Sequence, residues 1–364
     1  MKLLYCIDER GLKGGAHIAT ELLIAALREK GHHVDVMEAI RRNTFWDYCQ
    51  RAYLRVFPRK RLPLFLRDPW GVRRRKMMSY DTVCVMSESS TFTALVATLP
   101  ASVRKVQMIH THYPRWAGLV KRDVAADERL FKKMDCIAAV GVICARDLAE
   151  LMPSCREKIV PFHNLINQDG LAYREKTPHD GPVRIISLAR INDKVAKDGP
   201  RMIRVAKRLK DEGVDFVWDN YGGGGNGFAA CQVEIKRLGL SDVFRIHPYD
   251  PQARAKIAAA DLFVLLSHYE GLPNVIYESR LSGTLVLATR VGGIPEQIVE
   301  GETGWLVDDD EEAIVNKLMW ILGHVEELLG LSRMLRNYGY STDSIVAEHE
   351  ALLFGIIPQK YEVE

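Results

Sequence analysis

Short apolar runs alternate with amphipathic stretches along most of the chain. Lys2-Leu3-Leu4-Tyr5-Cys6-Ile7 reads as a buried strand. A loop with Gly11, Gly14 and Gly15 follows, then a periodic helix over Ile18–Lys30 that Gly31 stops. Further strands are expected at His33–Met37, Thr82–Met86, Val106–Ile109 and Cys136–Val140. From Asn167 to Gly181 the chain turns polar and rich in turn formers, as a linker does. The alternation then resumes with a strand at Val183–Leu188, a helix at Arg201–Glu212, a strand at Phe216–Asp219, a helix at Phe228–Leu238, and strands at Leu262–Ser267 and Thr284–Ala288. Ser344 stands where it would cap a last helix, Ile345–Phe354, closed by Gly355. Strands alternating with helices imply parallel sheets. The expected fold class is therefore α/β, with two Rossmann-like doubly wound domains facing across a cleft. The domains are placed at 1–167 and 168–343, with a C-terminal helix and tail over 344–364 that is able to pack back on the first domain.

Composition narrows the class further. With 364 residues, 47% of them hydrophobic, the chain has apolar material for about two domains, and bulk disorder is excluded. Its 7 cysteines form no CxxC and no Cys/His cluster of zinc spacing, which points to a reducing compartment and no structural metal. No apolar run approaches the ~20 residues of a spanning helix. Met1-Lys2 leads into a strand and not into a signal-peptide core. A cytoplasmic location is expected.

The net charge of +3 hides an asymmetry. Between Arg41 and Lys76 stand twelve Lys or Arg against Asp47 and Asp68, interleaved with Phe45, Trp46, Tyr48, Tyr53, Phe57, Phe65 and Trp70. A basic, aromatic segment of this kind suits an anionic interface. It is expected to face the inner surface of a membrane peripherally, or a glycan or lipid-linked acceptor. No nucleic-acid partner is expected.

The richest stretch is Ser267-His268-Tyr269-Glu270-Gly271-Leu272-Pro273-Asn274-Val275-Ile276-Tyr277-Glu278, where a buried strand leads through a loop into a helix. Pro273 suits a first helical turn, and a helix start at Gly271, Leu272, Pro273 and Asn274 is a natural seat for a diphosphate. Glu270 in the loop and Glu278 about one turn in are both able to grip hydroxyl-rich ligands, since each carboxylate oxygen is a strong acceptor. A loop glutamate plus a solvated helix glutamate is an equal account of the spacing alone.

This region resembles the retaining glycosyltransferases of family 4, which have the GT-B fold. Their E-x7-E signature matches Glu270 and Glu278, and the likeness continues through Gly283, Val291-Gly292-Gly293-Ile294-Pro295-Glu296 and Glu300 to Val307. The resemblance implies that Arg190 and Lys197 hold the donor diphosphate. The spacing there is about two residues longer than usual, so Lys194 competes with Lys197. It implies too that Gly222 and Gly223, in Tyr221–Gly227, form a glycine turn beside the nucleotide, and that Gly15, in the Gly14-Gly15 loop, lies near the donor phosphate. His110 would stand near the transferred sugar, with His112 in reserve. Glu278 would hold the ribose and Glu270 the sugar hydroxyls. The activity so implied moves a sugar, with retention, from a nucleotide-sugar donor to an acceptor hydroxyl in polysaccharide or glycolipid assembly. No metal or other cofactor is expected, because no Asp-x-Asp stands in a comparable place. A non-catalytic nucleotide-sugar-binding partner and a nicotinamide-dependent oxidoreductase remain as competing classes.

Overall fold

The computed structural model describes residues 1–7, 14–38, 68, 71–86, 90–191, 196–224 and 226–356. Lys194 and all but Asp68 and residues 71–76 of the basic segment lie outside them. Two compact units emerge, Ile166–Tyr340 and Met1–Leu165 together with the chain from Ser341 onward. Their boundaries fall two and three residues before those read from the sequence.

The first unit is a parallel sheet of β1 (Lys2–Ile7), β2 (His33–Glu38), β3 (Thr82–Met86), β4 (Arg104–Ile109), β5 (Cys136–Val140) and β6 (Ile159–Phe162). Their order across the sheet is β2-β1-β3-β4-β5-β6. Leu4, Cys6, Val83, Val85, Ile109, Ile137 and Ala139 pack with Phe92, Leu95 and Leu148 of the flanking helices.

The helix Thr342–Phe354 belongs to this unit. The Arg104 guanidinium donates to the Leu352 carbonyl at 3.0 and 3.1 Å, and the His163 backbone N–H donates to Glu348 Oε1 at 2.8 Å. Its cap is Ser341, whose side chain accepts from the Ser344 N–H, so Ser344 is a helical residue and not the cap. Gly355, at φ +79°, closes it in the left-handed conformation that glycine adopts freely.

The second unit is a parallel sheet of β7 (Val183–Leu188), β8 (Phe216–Gly223), β9 (Phe244–Pro248), β10 (Leu262–Leu265), β11 (Leu285–Thr289) and β12 (Gly304–Val307). Their order is β12-β11-β10-β7-β8-β9. Counted from β7, that is the dinucleotide-fold order 3-2-1-4-5-6, which reverses direction between its first and fourth strands. Apolar clusters lie on both faces, so the central strand β10 is apolar at every position. In β10, Leu262 and Val264 join the cluster around Trp218 and Leu287, while Phe263 and Leu265 join the opposite one around Ile276 and Ile294.

β6, β9 and β12 lie at sheet edges and have no counterpart in the sequence reading. Several helices begin earlier than their apolar periodicity indicates, at Gly15, Gly199 and Asn226, because their first turns are polar or glycine-rich.

Candidate functional site

In open parallel sheets ligands bind beyond the carboxyl ends of the strands, where the strand order reverses. In the second unit that point lies between β7 and β10. The loop leaving β7 carries Arg190 and Lys197, and the loop leaving β10 carries Glu270. The two loops meet there. The Lys197 ammonium donates to Glu270 Oε1, which also accepts from Ser267 Oγ at 2.6 Å. Both partners are mostly covered, with side chains 17% and 13% exposed, so the pair is less screened than a surface bridge. Arg190 is exposed and, among the described residues, makes no ion pair.

Sharp backbone geometry holds the two loops in register. Asp198 adopts the left-handed conformation, φ 39° and ψ 68°, which costs a non-glycine residue free energy unless its side chain is engaged. Here the carboxylate accepts from the Arg201 N–H at 3.2 Å and lies 3.1 Å from His268 Nε2. The other ring nitrogen of His268 stands 2.8 Å from Asp309 Oδ2. Arg201, 3% exposed, bonds the Asp309 carboxylate and donates to the Leu266 carbonyl at 2.7 Å. The His268 N–H donates to the Ala196 carbonyl at 2.8 Å. The loop of Lys197 is thus fastened to the loop of Glu270 through His268.

From the other side, a Cβ on Gly292 would stand 1.9 Å from the Glu270 carbonyl oxygen, and the Gly293 N–H donates to the Gly271 carbonyl at 2.8 Å. The glycine pair of the Val291–Glu296 turn lets that turn press directly on the loop.

Glu278 lies in the helix Asn274–Leu281 and is only 6% exposed, so it is not a solvated helix glutamate. Its Oε1 is 3.1 Å from Arg254 Nε, and its Oε2 is buried without a hydrogen-bond partner. Burial pushes this carboxyl up to about 7, against the opposing pull of Arg254. Arg254 also donates to the Asn167 carbonyl. Sequence reasoning missed Arg254, which sits in the short 3-10 helix Ala253–Ala259 outside any motif. It missed Asp198, Arg201 and Asp309 too, although Asp198-Gly199 is a turn signal.

Several of the expected residues sit in local geometry that differs from the sequence reading. Pro273 is the residue before the helix, with ψ 119°, and not part of its first turn. Leu272 is 3% exposed, so its side chain packs in the interior. Asn274 opens the helix, which has no side-chain cap and no acidic residue in its first turn. Gly222 and Gly223 end β8 and do not form a free turn. A Cβ on Gly222 (φ +125°) would meet the Ala189 carbonyl at 2.7 Å, and one on Gly223 would meet the Phe228 ring and the His247 carbonyl. Protein backbone and side chains therefore fill the space that the glycines open, and what they bring close is the start of the Arg190 loop.

In the first unit, His110 follows β4 with both ring nitrogens buried and without an aligned hydrogen bond. It packs edge-on against Phe162 at 5.0 Å. Burial, helped by His349, pushes it down to about 4, so it is neutral at neutral pH. His112 instead pairs with Asp147 at 2.9 Å. Gly15 is exposed and opens the 15-residue helix Gly15–Glu29. Among the described residues no three His, Cys, Asp or Glu side chains form a metal-holding group, and no helix is long and apolar enough to cross a membrane.

Comparison with known proteins places these features in a family. The model for glycosyltransferase family 4 matches residues 13–170, and that for glycosyl transferases group 1 matches residues 171–341. The putative colanic acid biosynthesis glycosyltransferase WcaL of Escherichia coli K12 is 28% identical over 200 residues, which are 52% of this chain and 48% of WcaL. The chain thus spans about half the length of that curated relative. Among solved structures, the Anabaena protein HepE, in complex with UDP-glucose, superposes with a TM-score of 0.70 at 16% identity, covering 96% of this chain and 99% of HepE. WaaG, a glycosyltransferase involved in lipopolysaccharide biosynthesis, gives 0.71 at 16% identity, covering 97% and 100%. With two family models spanning nearly its whole length and two parallel six-stranded sheets of GT-B type, this chain belongs to glycosyltransferase family 4.

Proposed function

We propose that the protein moves a sugar from a nucleotide-sugar donor to an acceptor hydroxyl with retention at the anomeric carbon. The observation that carries this reading is the Lys197–Glu270 pair at the reversal point of the second sheet. A lysine that already faces a carboxylate is positioned to exchange it for a phosphate. The exchange releases Glu270 toward the hydroxyls of the attached sugar. Arg190 and the start of the helix Asn274–Leu281 add positive potential for the diphosphate. The orphaned Glu278 Oε2 suits a ribose hydroxyl, because a buried acceptor without a donor gains most from one.

In the transfer, the bond from the anomeric carbon to the phosphate oxygen breaks and the bond to the acceptor oxygen forms on the same face. The acceptor proton passes to the departing phosphate. Lys197 and Arg190 stabilise the charge that develops there, a role that needs no metal.

HepE was solved with UDP-glucose, and WcaL is described as acting in colanic acid biosynthesis. The first supports a nucleotide-sugar donor and the second a polysaccharide acceptor. The basic segment 41–76 supplies the acceptor-facing or membrane-facing surface in this reading. The loop after β7, Ala189-Arg190-Ile191, is basic and not glycine-rich, which disfavours a dinucleotide oxidoreductase.

The test is a thermal-shift screen of nucleotide sugars, followed by transfer with the stabilising donor and NMR of the product anomer. Stabilisation with transfer and a retained anomer is expected. Stabilisation without transfer to any glycan or lipid acceptor would leave a binding partner in place of an enzyme. An inverted product would overturn retention.

A further inference from the structure

Buried Glu278 and half-buried Arg254 are a charge pair of the second unit that no part of the sequence motif explains together. The Arg254 side chain is 20% exposed and that of Glu278 is 7% exposed. Their nitrogen–oxygen separation of 3.1 Å brings opposite charges together without hydrogen-bond alignment, so attraction and not a fixed bond joins them. The same guanidinium donates through Nη2 to the Asn167 carbonyl and lies 3.4 Å from that of Asp169. Those carbonyls belong to the polypeptide that enters the second unit.

Among the described residues, the elements against Glu278 offer it no other counter-charge. On Ala253–Ala259, Lys256 is turned to Asp250 and the Tyr221 ring. On Gly330–Asn337, Arg333 is exposed and Arg336 lies over Tyr173. On its own helix, Arg280 lies over Tyr277 and Tyr338. On the turn Ile294–Glu296, Glu296 has the wrong sign and stands beside Gly293. β11 (Leu285–Thr289) has no charged residue.

We propose that Arg254 is a positioning residue: it offsets the burial of Glu278 so that the carboxylate form is available near neutral pH, with one oxygen against the guanidinium and the other, buried and without a hydrogen-bond partner, left for a ligand hydroxyl, and it ties that carboxylate to the backbone at Asn167. The proposal rests on the donor reading above for the identity of the hydroxyl, but its charge and geometry stand on this chain alone. Without Arg254, burial would act unopposed and the carboxyl would keep its proton at neutral pH. A protonated carboxyl is a weaker acceptor than the carboxylate, so a ribose hydroxyl would be held less tightly.

The test follows Glu278 by carbon-13 NMR of labelled glutamate in the full chain, with Glu278→Gln giving the assignment. In parallel, calorimetry measures affinity for UDP, GDP and ADP between pH 6 and 9. Arg254→Met is expected to raise the Glu278 titration midpoint by about one unit or more. It is expected to weaken nucleotide binding about tenfold at pH 7, with the loss recovered toward pH 9. Arg254→Lys keeps the charge and restores the midpoint, and serves if the methionine variant does not fold. A midpoint that stays put in Arg254→Met, or that shifts equally in Arg254→Lys, overturns the proposal. So does a binding loss that no rise in pH repairs, which marks a purely structural arginine. If the midpoint shifts as expected while no nucleoside diphosphate binds even the unaltered protein, the Arg254 assignment holds and the donor reading fails.

Discussion

Lys197 and Glu270 pair across two loops that leave neighbouring strands, β7 and β10, at the one place in the second sheet where the strand order reverses. Each side chain arrives there by a separate device. Left-handed Asp198 and a glycine at 199, where a Cβ would stand 2.1 Å from the Ile191 carbonyl, aim Lys197. Ser267 and the Gly292-Gly293 turn aim Glu270.

Replacing Lys197 with methionine keeps the stem and removes the charge. Glu270 keeps its bond from Ser267, so the melting temperature is expected to change little. Turnover with the identified donor is expected to fall about 10²–10³-fold, the size of losing one preorganised donor to a developing anion. Steady-state kinetics alongside a thermal melt checks this. A large fall in melting temperature with near-normal turnover would mean that the lysine is structural.

Gly292→Ala and Gly301→Ala separate strain from collision. Both residues have positive φ, +53° and +77°. A Cβ at 301 meets nothing within 4 Å, whereas one at 292 meets the Glu270 carbonyl at 1.9 Å. Gly301→Ala is expected to cost about 1–2 kcal/mol from backbone conformation alone. Gly292→Ala should cost about 1–3 kcal/mol more and weaken donor binding, because the Glu270 loop must move. Urea denaturation of the two variants measures the difference.

Arg201→Met tests the fastening between the loops. The substitution strands the Leu266 carbonyl and leaves Asp309 with His268 alone. A loss of about 2–3 kcal/mol in chemical denaturation is expected. Affinity for the donor should fall too, since the Lys197 loop hangs from the same network. Unchanged affinity in a folded variant would show that the loops hold their register without it.

Glu278 gives stability a pH dependence of definite sign. Its carboxyl holds a proton up to about 7 when folded, whereas the unfolded chain releases it near the ordinary glutamate value of 4.5. Between these values the folded state binds more protons, so this group's contribution to stability falls as pH rises, by on the order of 3 kcal/mol over the window. Glu278→Gln should remove that slope. His110 and His349, both pushed down by burial, give the opposite slope below the ordinary histidine value, so the comparison of wild type with Glu278→Gln is the one that isolates the effect. Equal slopes in the two proteins would contradict a raised Glu278.

Much of this architecture can be read from the chain, and the parts that cannot share a cause. Central strands such as Thr82–Met86 and Cys136–Val140 are buried on both faces and announce themselves as continuous apolar runs. The three unanticipated strands are all at edges, where one side lacks a neighbour: Ile159–Phe162 and Gly304–Val307 are only 4 residues long, and Phe244–Pro248 carries Arg245 and His247 between its apolar positions. Ile159–Phe162 even contains Pro161, which an edge strand accepts and a central one does not. In the site, Glu270, Glu278, Arg190 and Lys197 were visible because they sit in a motif. Arg254 was not, because its partner is 24 residues away in sequence and only the packing of Ala253–Ala259 on the helix Asn274–Leu281 brings them together. Nor does a glycine cluster say whether backbone or ligand fills the space it opens; at Gly222 and Gly223 it is the protein.

The most direct test of the central claim is a crystal structure of the protein soaked with the nucleoside diphosphate that stabilises it best. The account predicts the diphosphate between Arg190, Lys197 and the start of the helix Asn274–Leu281, with the lysine turned from Glu270 to a phosphate oxygen. A diphosphate bound elsewhere, or bound while Lys197 and Glu270 remain paired, would contradict it.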